Sequence, residues 1–300
     1  MRLATYDSIE AAVKGCFGES VKITDRTYVS GGDINDAFCL LLGNNEKVFV
    51  KSNSFKNRDF FDAEEEGIAA IASTDTIGTP ELLCKGVDAS RKISFLMMKM
   101  IKTGRASEDT MTVFGHELAA MHCADTSGFV TGGKFGFGRD NYIGASKQIN
   151  TPKDTWIGFF RECRLEPQFK MAEKYFDDEM IRTSIRLLDR LDDLLTEPEH
   201  PSLLHGDLWS GNYLVDSDAK AILIDPAAYV GHAEADMAMT ELFGRFPERF
   251  YSAYREKIPM REGYADRKQI YNLYHLTNHL NLFGSGYLHS VVSTIRHFAG

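Results

Sequence analysis

Thiols are few and unpatterned in this chain. Its five cysteines (Cys16, Cys39, Cys84, Cys123, Cys163) are odd in number, scattered and free of CxxC spacing. That argues against a disulfide framework or a zinc site and for reduced thiols, as in a cytoplasmic protein. Long apolar runs are also missing. No stretch reaches the roughly eighteen residues that a membrane helix needs. The opening MRLATYDSIEAAVKG is mixed, not a charged segment followed by an apolar one, so neither a membrane span nor a secretion signal is expected. Basic charge is short: 34 Lys and Arg stand against 43 Asp and Glu, for a net charge of -9. With no basic stripe interleaved with aromatics, a nucleic-acid partner is not expected. There is no internal repeat, low-complexity tract or flexible linker. What the chain has is apolar material, 43% of 300 residues, enough for one large domain or two lobes sharing a cleft.

The pattern changes class along the chain. DSIEAAVKGCF reads as an opening helix stopped at Gly18. VKITDRTYV, NDAFCLLL and KVFVK read as strands joined by a Gly-Gly turn and a Gly43-Asn44-Asn45 turn. A helix near 59–73 follows, then the strands ELLCKGV and ISFLMMKM. This predicts an antiparallel sheet with one key helix over residues 1–101. From 102 to 300 helical spacing dominates, with Ser107 as the expected cap of a helix carrying Met111, Phe114, Leu118 and Met121. Further helices are expected near 154–176, 178–196, 235–244 and 266–296, interrupted by a strand pair around YLVD and AILID. The expected fold class is α+β, in two lobes.

The strongest chemical signal is His205-Gly206-Asp207-Leu208-Trp209-Ser210-Gly211-Asn212, followed thirteen residues later by Asp225 at the end of AILID. Phosphoryl transfer to a hydroxyl needs a carboxylate that orients and deprotonates the nucleophile, and oxygen ligands that hold magnesium against the phosphates. Asp207 suits the first role, Asn212 and Asp225 the second. The bland alternative is a polar turn, since Gly, Asp, Ser and Asn are turn residues anywhere; the apolar hairpin ending in Asp225 weighs against it.

Lys51 lies on KVFVK, sharing a face with Phe49 and Lys47. Glu64 lies four residues after Phe60, three after Phe61 and four before Ile68, on the apolar stripe of its helix, whereas Glu65 and Glu66 fall elsewhere. A carboxylate there wants a cation, and a lysine–glutamate pair of this kind positions nucleotide phosphates in kinase folds. The alternative is a solvated strand-end lysine and an acid at the stripe's edge. Gly31 and Gly32 would let a backbone approach phosphates closely, or would simply turn a hairpin. In FLMMKMIKTG, backbone groups of Lys99, Met100 and Ile101 could meet an adenine edge with Met98 behind, or the segment is an ordinary core strand.

Taken together, HGDLWSGN, IDPAAYVGHAEADMAM, FGFGRDNYIG with a following QIN, and IYNLYHLTNHLNLFGSGY resemble the fructosamine kinase family, within the aminoglycoside phosphotransferase-like group of the protein-kinase-like fold. The resemblance covers nearly the whole chain. It implies an ATP- and Mg2+-dependent kinase acting on the 3-hydroxyl of ribulosamine or fructosamine adducts, a deglycation role. Asp207 would be proton acceptor, Asn212 and Asp225 metal ligands, Lys51 the phosphate lysine with Glu64 as partner, and Met98 to Ile101 the adenine hinge. Trp209 and His205 would lie on the acceptor side, and Asp236, next but one to Glu234, would brace the catalytic loop. Asp33 stands where many family members carry cysteine. Other hydroxyl kinases of this fold, or a catalytically silent nucleotide binder, are the competing expectations.

Overall fold

A computed structural model of the chain describes residues 3–29 and 34–300, so Gly31, Gly32 and Asp33 lie outside the described residues. The elements run β1 (Ala4–Tyr6), α1 (Ile9–Phe17), β2 (Ile23–Val29), β3 (Asp36–Leu42), β4 (Lys47–Ser54), α2 (Arg58–Ser73), β5 (Leu82–Asp88), β6 (Ile93–Lys99) and α3 (Thr110–His122). A short hairpin, β7 (Asn141–Ile143) and β8 (Ser146–Gln148), follows. Then come α4 (Trp156–Phe160), α5 (Glu166–Ala172), α6 (Asp178–Asp189) and α7 (Leu191–Leu194). Four short strands, β9 (Ser202–Leu204), β10 (Tyr213–Val215), β11 (Ala221–Leu223) and β12 (Tyr229–Gly231), precede α8 (Ala233–Met239), α9 (Glu248–Lys257), α10 (Tyr264–Phe283) and α11 (Leu288–Ala299).

The first six strands form one sheet in the order β1-β5-β6-β4-β3-β2. Alternation sorts its side chains. Phe38, Leu40, Val48, Val50, Phe95 and Met97 pack under Ile9, Ala12 and Val13 of α1, and on the opposite face Leu96 and Met98 meet Phe61 of α2. Ser8 starts α1 by accepting from the Ala11 amide, and Gly18, at φ 104°, stops it. A separate, larger core fills the helical half around Phe114, Trp156, Phe159, Phe160, Tyr254 and Tyr271.

Several expectations need correcting. The sheet is not wholly antiparallel, because β1 pairs in parallel with β5; it covers an edge whose backbone groups would otherwise lack partners. Ser107 does not cap α3. Its amide donates to the Thr110 hydroxyl, which itself donates to the Ala219 carbonyl, so the helix opens at Thr110 behind Asp109. The single helix expected over 266–296 is broken at Gly284, at φ 92°. The helix α9, which packs against α3, was not expected. Among the described residues no helix is long and apolar enough to cross a membrane.

Candidate active site

Two hairpin-like pairings bring the chemical residues together. β9 pairs with β12 and β10 with β11, both antiparallel, so the loop 205–212 and the segment 224–228 lie side by side. Backbone hydrogen bonds seal them: the Ala227 amide donates to the His205 carbonyl at 2.9 Å and the Ile224 amide to that of Asn212 at 3.0 Å. Gly206 sits between them at φ 80°, where an added Cβ would lie 2.1 Å from the Ala227 carbonyl oxygen; only glycine fits.

Asp236, on α8, anchors this loop. Its carboxylate accepts the amides of His205 at 2.7 Å and Gly206 at 2.8 Å, and lies 3.2 Å from His122 Nε2. Burial works against that charge, but His122, His205 and the loop amides outweigh it and hold its pKa below the ordinary value. The bracing role expected for Asp236 is therefore visible in its contacts. Glu234 instead pairs with Arg267 at 2.7 Å, both buried.

His205 is placed differently from expectation. It is fully buried, its Nδ1 accepts the Asp207 amide at 3.2 Å, and its Nε2 donates to the Ile224 carbonyl at 2.9 Å. Both ring nitrogens are taken up inside the protein, and burial lowers its pKa. A neutral imidazole that pins the catalytic loop to the Asp225 strand has no free atom for an acceptor. The acceptor-side assignment of His205 is withdrawn.

Asp207 is steered by Asn212, whose Nδ2 donates to the Asp207 carbonyl at 2.8 Å and to its Oδ2 at 3.1 Å. That leaves the Asn212 side-chain oxygen free to accept a cation. Burial pushes the Asp207 carboxyl up to about 7; the Asn212 amide opposes this, and Asp225 and Asp236 add to it. If Asp207 serves as the base, it must be unprotonated to accept a proton, and kcat/KM should fall about tenfold per unit below pH ~7. The stability sign is opposite. An acid with a raised folded pKa contributes stability that is full below its ordinary value of 3.8 and lost as pH rises through about 7. Melting temperature is thus expected to drift down between pH 4 and 7 while activity rises, and Asp207→Asn should remove both trends. A flat kcat/KM over this window would refute the assignment.

On the sheet side, Lys51 of β4 and Glu64 of α2 meet at 2.6 Å, with side chains only 11% and 12% exposed. Lys51 also contacts Asp225, so one ammonium joins sheet, helix and loop. Burial alone would lower the Lys51 pKa, but the Glu64 and Asp225 carboxylates outweigh it and raise it. Glu65, read as off the apolar stripe, is also buried. It bonds to Lys85 of β5 at 2.6 Å and accepts the Leu3 amide at 2.9 Å, which fastens α2 to β5 and the chain start. At the expected hinge, Met98 is buried beside Phe61. The Lys99 amide, however, donates to the Glu81 carbonyl at 2.9 Å and that of Met100 to Lys47 at 3.4 Å. Both amides are thus engaged within the protein.

Around Asp207 and Trp209 lie residues that the sequence did not announce: His275, His279 and Phe243. His275 of α10 places Nδ1 3.9 Å from Asp207 Oδ1; burial, with His279 adding to it, pushes its pKa down to about 3, so it is neutral. Trp209, 36% exposed, meets Phe243 edge-on at 6.3 Å, and Phe243 stacks on His279 at 4.6 Å. The i, i+4 spacing of His275 and His279 was the available signal. Among the described residues no group of three or more His, Cys, Asp or Glu could hold a metal alone. Asn212 and Asp225 are nonetheless hard oxygen donors of the kind that share a magnesium ion with phosphate oxygens and water.

The fructosamine kinase family model matches residues 5–299 of this chain. The chain belongs to the fructosamine kinase family. This is a family of ATP-dependent phosphotransferases. A probable ketoamine kinase of Synechocystis sp. is 39% identical over 95% of this chain and 93% of its own length. A chloroplastic protein-ribulosamine 3-kinase of Arabidopsis thaliana is 38% identical, over 93% and 83%. The crystal structure of a candidate fructosamine-3-kinase from Haemophilus somnus superposes with a TM-score of 0.85 at 28% identity, covering 97% of this chain and 96% of that one. The fold extends to an aminoglycoside phosphotransferase crystallised with AMP-PNP and hygromycin B, at a TM-score of 0.59 and 16% identity, which is a likeness of fold alone. In fructosamine kinase terms, the segments that carried the resemblance are now located: FGFGRDNYIG spans β7, IDPAAYVG runs from Asp225 through β12, and NHLNLFG closes α10.

Proposed function

We propose that this fructosamine kinase transfers the γ-phosphoryl group of ATP to the 3-hydroxyl of ribulosamine- or fructosamine-type adducts in the cytoplasm, removing early sugar adducts from amines. Residues 1–101 form the nucleotide-binding lobe and 102–300 the catalytic and substrate lobe. The observation that carries this reading is that Lys51 joins Glu64 to Asp225, while Asn212, bonded to Asp207, is tied to the Asp225 strand through the Ile224 amide. Asp207 orients the acceptor hydroxyl and takes its proton as the new O–P bond forms and the bond to the departing ADP breaks. Lys51, held by Glu64, presents a fixed positive charge to the phosphates, and Met98 to Ile101 line the adenine. Magnesium, held by Asn212 and Asp225, would neutralise charge on the phosphates.

A ketosamine carries one protonated amine and several hydroxyls. The aromatic edge of Trp209, Phe243 and His279 and the neutral His275 suit such an acceptor. A polyammonium aminoglycoside would require spare carboxylates. The two acids beside Asp207 are already taken: Asp225 by Lys51 and Asp236 by the loop amides and His122. The test is a panel of ketosamines, kanamycin-type compounds and choline with ATP and Mg2+, with the phosphate located by NMR. A ribulosamine or fructosamine adduct phosphorylated at O3 should give the highest kcat/KM. A higher value for an aminoglycoside or choline would overturn the acceptor assignment, and an inert protein that binds ATP would overturn the catalytic one.

A further inference from the structure

The segment FGFGRDNYIG…QIN carries no role in the chemistry above, yet it forms a buried polar structure wedged between the two halves. The side chains of Asn141, Gln148 and Asn150, at the base of the β7–β8 hairpin, are 3%, 1% and 1% exposed. They form a carboxamide ladder. Asn141 Nδ2 donates to the Ala228 carbonyl at 2.8 Å, and Gln148 Nε2 to the Ala227 carbonyl at 2.9 Å and to Asn141 Oδ1 at 2.7 Å. Asn150 Nδ2 adds a bond to Asn141 Oδ1 at 2.9 Å, and the Tyr274 hydroxyl donates to Gln148 Oε1 at 2.8 Å. Every bond of the ladder that leaves the hairpin toward the site ends on the two residues just beyond Asp225-Pro226.

The same hairpin touches α2 on its other side. The rings of Tyr142 and Phe60 lie 3.9 Å apart, and Arg139 reaches Glu66 at 3.5 Å. Between these contacts α2 rests directly on the gripped segment. A Cβ on Gly67 would meet Pro226 Cγ at 3.3 Å and Ala228 Cβ at 3.5 Å. Asp225 itself sits at φ 55°, in the left-handed region, which is less favoured for a side-chain-bearing residue than for glycine, though aspartate enters it more readily than most.

We infer that the β7–β8 hairpin is the coupling element of the active site, and that Gln148, Asn141 and Tyr142 are positioning residues: the two carboxamides hold Asp225 in its left-handed conformation through Ala227 and Ala228, and Tyr142 holds α2, with Glu64, against the same segment. This rests on the nucleotide and metal roles proposed above for Lys51, Glu64 and Asp225. Lys51 ties α2 to Asp225 from the sheet side; the hairpin ties α2 to the segment beyond Asp225 from the helical side. Buried polar groups are high-stakes in this way: fully satisfied, they specify one arrangement, and losing one leaves its partners without bonds.

The experiment measures calorimetric affinity for AMP-PNP with Mg2+ and with EDTA, beside kcat, for the wild type, Gln148→Met, Tyr142→Ala and Tyr142→Phe. Gln148→Met keeps side-chain length and removes the donor. It is expected to weaken Mg·AMP-PNP binding by about tenfold or more and to change metal-free AMP-PNP binding by less than about twofold, the size seen when groups supporting a metal ligand are lost. Tyr142→Ala, at a half-buried ring, should raise the KM for ATP with the acceptor KM unchanged, and Tyr142→Phe should behave as wild type because the contact is ring on ring. Equal losses with and without metal, or folded Gln148→Met and Tyr142→Ala proteins within about twofold of wild type in both readouts, would overturn the inference. If Gln148→Met does not fold, the Tyr142 pair decides alone. The acceptor identity does not enter the binding measurement. A wild type that fails to bind Mg·AMP-PNP would overturn the functional reading and this inference with it, whereas wild-type binding with unaffected variants overturns this inference only.

Discussion

Asp207→Asn is expected to lower kcat by at least about 10²-fold while leaving nucleotide affinity nearly unchanged. The two halves of that expectation have separate causes. Asparagine is nearly isosteric and can still accept from Asn212 Nδ2, now at 3.1 Å from Oδ2, so the loop held by Asp236 and His205 keeps its shape. What disappears is the capacity to take a proton from the acceptor hydroxyl. Asp207 touches none of Lys51, Glu64 or the hinge in the contacts described, so ATP affinity has no reason to fall. Single-turnover kinetics beside equilibrium nucleotide binding separates the two effects. A variant retaining more than about a tenth of wild-type kcat would remove Asp207 from the proton-transfer step.

Lys51→Met should be comparably damaging, through a different route. Lys51 is the shared partner of Glu64 and Asp225; without it, the buried Glu64 carboxylate loses its cation while the half-exposed Asp225 keeps access to solvent. Removing one member of a buried pair commonly costs about 3–5 kcal/mol, because the remaining charge lacks compensation. Glu64, whose pKa burial already raises against the pull of Lys51, would then respond by taking up a proton. Two readouts follow: a loss in kcat/KM for ATP and a lower melting temperature. Glu64→Ala alone should also impair ATP use. Added to Lys51→Met it should cost much less than on its own, leaving a coupling of about 1–3 kcal/mol, as contacting residues give. Additive losses in kcat/KM would falsify the pairing as a functional unit.

The parts of this site that were legible in the sequence share one property: they are local. Glu64 stood out because helix periodicity alone puts it on an apolar face, and the 2.6 Å contact with Lys51 follows from that placement. The loop 205–212 and Asp225 stood out because their spacing is short and chemically loaded. His205 was misplaced because a motif shows that a histidine is present and not which way its ring turns; both of its partners depend on how the loop folds back. The engagement of the Lys99 amide was hidden for a similar reason, since its acceptor, the Glu81 carbonyl, lies eighteen residues upstream. Of the seven three-residue strands, β10 and β11 showed as the apolar runs YLVD and AILID, but β1, β7, β8, β9 and β12 are too short for alternation to show. They exist because of what they pair with, and among them are the strands that position the catalytic loop and the carboxamide ladder. His275 comes near Asp207 only through the path of α10 across the site.

Between Asp225 and α8 there are only seven residues, Pro226 to His232, and they include β12. In signalling kinases the equivalent stretch is a long activation segment, whose phosphorylation, together with movement of the glutamate-bearing helix, turns activity on and off. Here the stretch contains no serine or threonine, its one tyrosine, Tyr229, is 2% exposed, and the helix it would have to release rests on Pro226 and Ala228. The enzyme has no dimmer at this position. Under the function proposed above, phosphorylation of this stretch is therefore not expected to set the rate at which ketosamine and nucleotide are consumed.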